Sequence, residues 1–135
     1  MPNEYGRGWF NYPIKIGGRS YNDPNAKYVA TELIRRSFND GDVLKIESDT
    51  VYICNDNVSN LAIEIESPVS ESFRCAIDFG CGEAATALTY PDSFLWSGDH
   101  LDENRKFVPI SSCRYHIDVW FDGSYIRANA SGVIV

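Results

Sequence analysis

From residue 43 onward, apolar and polar side chains alternate with a period of two, the spacing that sends successive side chains to opposite faces of a strand. Strands are expected at 43–47 and 50–54 around Ser48-Asp49, with Asn55-Asp56-Asn57 as a turn. At 61–66, Leu61, Ile63 and Ile65 share one face and Ala62, Glu64 and Glu66 the other, and Pro68 ends the run. At 73–81, Phe73, Cys75, Ile77 and Phe79 point inward, while Arg74, Ala76 and Asp78 point outward. Gly80 and Gly82 allow a change of direction or a bulge. Residues 83–90 are short for a helix and precede Pro91, so they read as a strand. Another strand falls within 92–99, around Phe94, Leu95 and Trp96. The polar stretch 97–105 reads as an exposed loop, and Val133-Ile134-Val135 as a last edge contact.

Residues 113–130, CRYHIDVWFDGSYIRANA, hold the clearest element. Alternation runs to Phe121, stops at Asp122-Gly123 and resumes, and Asp-Gly suits a two-residue hairpin turn because both residues tolerate positive φ. That turn sets Phe121 opposite Ser124, Trp120 opposite Tyr125, Val119 opposite Ile126, Asp118 opposite Arg127, Ile117 opposite Ala128 and His116 opposite Asn129. One face then carries Tyr115, Ile117, Val119, Phe121, Ile126, Ala128 and Ala130 and reads as core. The other carries His116, Asp118, Trp120, Tyr125, Arg127 and Asn129. In this register Asp118 pairs with Arg127 and Trp120 with Tyr125, each pair contributing roughly 0.2–1 kcal/mol.

Upstream the pattern changes. Residues 1–20 set Trp9, Phe10, Tyr12 and Ile14 among glycines and prolines, and read as an extended arm with a short edge strand at 12–16. Residues 23–39 read as an amphipathic helix. Asp23 suits the N-cap and Pro24 the first helical position; Ala26, Val29, Ala30, Leu33, Ile34 and Phe38 share one side. Arg35-Arg36 lie near its C-terminal end, where cations are favoured, and Asn39-Asp40-Gly41 stops it. The sum is an α+β fold, mainly antiparallel β. It is a single domain over 1–135, whose β-rich body at 43–135 forms a two-layer β-sandwich-like arrangement of about seven strands with one N-terminal helix.

The chain has 135 residues, enough for one core and too few for two ordinary domains. Its net charge of −7 argues against a nucleic-acid partner and favours a basic or neutral protein. Apolar runs are far shorter than the roughly 20 residues of a membrane span, and no signal peptide is expected. Cys54, Cys75, Cys81 and Cys113 match no zinc spacing. On a straight strand Cys75 and Cys81 stand about 20 Å apart, too far to bridge. The alternatives are four buried free thiols or disulfides between different strands. The sequons at Asn57 and Asn129 matter only in a glycosylating pathway.

No catalytic, metal or cofactor site is expected. Asp99, His100, Asp102 and Glu103 gather oxygen and imidazole ligands but lack the calcium-loop pattern. Cys113 and His116 differ in parity, so a nucleophile–base pair would need a bulge. The best candidate surface is His116, Asp118, Trp120, Tyr125, Arg127 and Asn129, since aromatic and arginine side chains often anchor interfaces. The expectation is a non-enzymatic acidic binding protein, such as an inhibitor or neutraliser of another protein. The alternatives are a carbohydrate-binding β-sandwich, its rings stacking on sugar, and a structural or capsid-associated subunit that could self-associate.

Overall fold

The computed structural model describes residues 33–66 and 69–135, and nine strands are assigned among them. In chain order they are β1 (Ile34–Ser37), β2 (Val43–Ile46), β3 (Thr50–Asn57), β4 (Asn60–Ile65), β5 (Arg74–Gly80), β6 (Ala87–Thr89), β7 (Leu95–Gly98), β8 (Cys113–Phe121) and β9 (Ile126–Ile134). The expected arm at 1–20, and the expected helix as far as residue 32, lie outside the described residues. The last part of that helix is corrected: Ile34–Ser37 is a strand, paired in parallel with residues 50–53 of β3. The Ile34 N–H donates to the Asp49 carbonyl at 2.7 Å and the Phe38 N–H to the Ile53 carbonyl at 3.0 Å. A neighbouring strand thus accepts the bonds that a helix would satisfy four residues back. Phe38, buried in the core, anchors the end of β1.

The chain winds between two sheets. The larger runs β7-β9-β8-β5-β3-β1 and the smaller β2-β4-β6. From β1 to β6, each strand of one sheet is followed by a strand of the other. Successive windings therefore return in parallel, β1 to β3 to β5 and β2 to β4 to β6. A parallel pair needs a crossover connection, and here a strand of the opposite sheet supplies it in place of a helix. The last part of the chain leaves this pattern. β8 is antiparallel to both β5 and β9 along the two longest ladders, and β7 lies parallel to β9 at the edge. The large sheet is mixed, with its antiparallel ladders in β5-β8-β9, and the small sheet is parallel.

Alternation decides which side chains meet. Leu44, Ile46, Leu61 and Ile63 from the small sheet share one core with Tyr52, Cys75, Ile77, Phe79, Ile117, Val119 and Ala128 from the large one. The Tyr52 hydroxyl ties the turn between β2 and β3, accepting the Glu47 N–H at 2.9 Å and donating to the Lys45 carbonyl at 3.3 Å. Trp96, Phe107 and Tyr115 form an aromatic run, with ring centroids 5.0 and 4.9 Å apart. All four cysteines are buried free thiols. Burial, with the nearby Asp118 charge, pushes the Cys75 thiol up to about 12.

Candidate functional site

The outer face of the large sheet collects the side chains that alternation turns away from the core. The ladders arrange them in rows. Trp120 of β8 stands between Arg74 of β5 and Arg127 of β9, with Leu95 of β7 beyond Arg127. The next row runs Ala76, Asp118, Asn129 and Ser97, and the Ser97 hydroxyl donates to Asn129 Oδ1 at 2.8 Å. A third row holds Asp78, His116 and Ser131.

His116 is held between two carboxylates. Its Nδ1 lies 2.9 Å from Asp78 Oδ1 and its Nε2 lies 2.9 Å from Asp118 Oδ1. Partial burial alone would lower its pKa, but hydrogen bonds and charge from both carboxylates prevail and raise it above the ordinary value. When protonated, the imidazole donates to both acids, and the three side chains then form one charged unit across β5 and β8. Cys113 is fully buried on the opposite face of β8, so it does not meet His116.

The hairpin register differs from the expected one. Phe121 pairs with Ile126, Trp120 with Arg127, Val119 with Ala128, Asp118 with Asn129, Ile117 with Ala130 and His116 with Ser131. The turn is therefore displaced by one residue, to Gly123-Ser124, and Gly123 takes the positive φ of 98°. Asp122 explains the displacement. Its backbone N–H donates to the Tyr125 carbonyl at 3.0 Å, while its carboxylate accepts the Ser124 and Tyr125 N–H groups at 2.9 and 2.7 Å. The same carboxylate takes Arg127 Nε at 2.6 Å. Arg127 and these backbone donors hold the Asp122 carboxyl down to about 2. The expected Asp118–Arg127 and Trp120–Tyr125 pairs are thus replaced, and Tyr125 lies exposed at the turn. His116, Asp118, Trp120, Arg127 and Asn129 still share one face, because a two-residue change of register conserves parity.

The polar stretch at 97–105 is a tied structure. Asp99 Oδ2 accepts the Gly132 N–H at 2.9 Å, and His100 Nδ1 lies 2.6 Å from the Tyr115 hydroxyl. Asp102 Oδ1 accepts the Asn104 and Lys106 N–H groups at 2.8 and 2.9 Å. These groups serve their own backbone and core. No cluster of three metal-ligating side chains occurs among the described residues.

Two clefts border the face. One, of about 260 Å³, is lined by Leu33, Arg74, Ala76, Asp118 and Trp120, with Cys75 and Val119. The other, of about 370 Å³, is lined by Phe94, Leu95, Trp96, Asn104, Arg105, Lys106 and Arg127. The alternation turns Asp78 outward but names no strand partner for it, and the adjacent cations Arg105-Lys106 are the one signal in the chain for the second cleft. No family model, curated protein or solved structure matches this chain.

Proposed function

We propose that this chain is a non-enzymatic binding module that engages a protein partner through the outer face of the large sheet, as an inhibitor or neutraliser does. The observation that carries this reading is the central row. Half-buried Trp120 is flanked by Arg74 and Arg127, with exposed Asp118 beside it. Such a centre supplies an aromatic anchor, guanidinium groups ordered by Asp49 and Asp122, and a polar surround. The net charge of −7 favours a basic or neutral partner and speeds the encounter with it. The test is capture from a native extract by the immobilised chain, with Trp120→Ala and Arg127→Glu in parallel. The expected result is one partner held by the wild type and lost by both variants at unchanged thermal stability. A partner held equally by all three overturns the proposal.

A second reading, a saccharide site, rests on the cleft of about 260 Å³ that sets Trp120 beside Asp118 and Arg74. There a ring could face a sugar while the charged groups take hydroxyls. Saturable quenching of tryptophan fluorescence by neutral sugars, lost in Trp120→Ala, would favour this reading over the first.

A further inference from the structure

We propose that the second cleft binds a small organic anion, of monosaccharide size and bearing one carboxylate or phosphate group. The site is independent of the protein-binding reading of the outer face, although Arg127 borders both.

Charge is the first argument. The chain has 19 acidic and 12 basic side chains, yet this cleft is lined by Arg105, Lys106 and Arg127 and by no carboxylate. Asp122 offsets part of the Arg127 charge through Nε, leaving the two Nη groups. Arg105 and Lys106 form no ion pair among the described residues. Lys106 Nζ donates to the Asp92 backbone carbonyl at 3.2 Å, which satisfies one N–H without neutralising the ammonium. These two residues therefore carry the attraction.

Order is the second. The Asp102 N–H donates to the Lys106 carbonyl at 2.8 Å, the Arg105 N–H donates to the Asp102 carbonyl at 2.9 Å, and Arg105 is held at a φ of 63°. With the Asp102 carboxylate bonds, this fixes the backbone that presents Asn104, Arg105 and Lys106, so a ligand has only their side chains to order.

The third is the apolar lining. Phe94 and Trp96 border the cleft, with the Trp96 ring turned toward the core against Phe107. Exposed Leu95 offers an apolar wall to the ligand body and the Asn104 amide a partner for a hydroxyl. Carboxylate and phosphate share the chemistry that Arg and Lys recognise.

The test is an NMR titration of the full chain with glucuronate, glucose 6-phosphate and glucose. The expected result is saturable shifts at the amides of residues 104–106 with at least one acid and none with glucose. Binding of glucuronate alone assigns a carboxylate, of glucose 6-phosphate alone a phosphate, and of both a general oxyanion site. The double variant Arg105→Gln/Lys106→Gln should weaken binding roughly tenfold or more, with each single change giving part of the loss, and added salt should weaken it too. Trp120→Ala should leave this affinity unchanged, which separates the cleft from the outer face. Equal binding of glucose, unchanged affinity in a folded double variant, or no saturable shift with either acid at tens of millimolar overturns the proposal.

Discussion

His116 couples the outer face to pH. Its folded pKa is raised because Asp78 and Asp118 outweigh partial burial, so the folded state holds the proton more tightly than the unfolded chain. The stabilisation is complete below the unfolded value of about 6.5 and is lost as pH rises through the folded value. Urea unfolding of the wild type and His116→Asn should therefore converge as pH rises from about 6.5, with the wild type favoured at the acidic end. A gap that does not change with pH would show that the carboxylates do not favour the imidazolium. The thiols make a second residue-scale case. Cys54, Cys75, Cys81 and Cys113 are each 5% exposed or less, and the Cys75 thiol stays protonated at neutral pH. None should react with a water-soluble thiol reagent in the folded protein, and all four should react on unfolding. Fast labelling of any one before unfolding would contradict the burial.

At the scale of elements, the turn between β8 and β9 shows what a pattern of alternation does and does not determine. Period two assigns faces, so His116, Asp118, Trp120, Arg127 and Asn129 were correctly grouped from residues alone. It does not assign opposite neighbours, which follow from the turn. The Asp-Gly pair suggested one turn; the Asp122 carboxylate, accepting two backbone donors and a guanidinium, favours the neighbouring one. Asp122→Ala should accelerate amide exchange at Ser124 and Tyr125, and Asp122→Asn should do so less because its side-chain oxygen still accepts. The sign with pH follows from a carboxyl held at about 2. Its contribution is present above the unfolded value near 3.8 and fades as pH falls from there toward 2. Exchange at these two amides that ignores both substitutions would place the hold on the turn elsewhere. Asp78 was hidden for a related reason. It lies 38 residues before His116, and only the β5–β8 ladder brings the two together.

At the scale of the molecule, the winding was the feature least open to reading. The parallel return takes 16 residues from Ile34 to Thr50 but 25 from Thr50 to Cys75, and 19 from Val43 to Ala62 but 27 from Asn60 to Ala87. Unequal steps leave no repeat in the chain, and alternating strands look the same whether their partners run parallel or antiparallel. The shared core was legible, because inward parity at Leu61, Ile63, Cys75 and Ile77 required a second layer to cover it. That core makes the two sheets one cooperative unit, a consequence open to measurement. Ile77 is fully buried where β5 meets Tyr52 of β3 and Ile117 of β8, and Leu61 is buried in the small sheet. Ile77→Ala and Leu61→Ala should each lower stability by about 2–5 kcal/mol, whereas Ile134→Ala, at 67% exposed, should stay within about 0.5 kcal/mol. Both core variants should shift one transition, seen alike by tryptophan fluorescence and by far-ultraviolet circular dichroism. If Leu61→Ala instead splits the curve into two steps, the small sheet melts alone and the windings do not share a core.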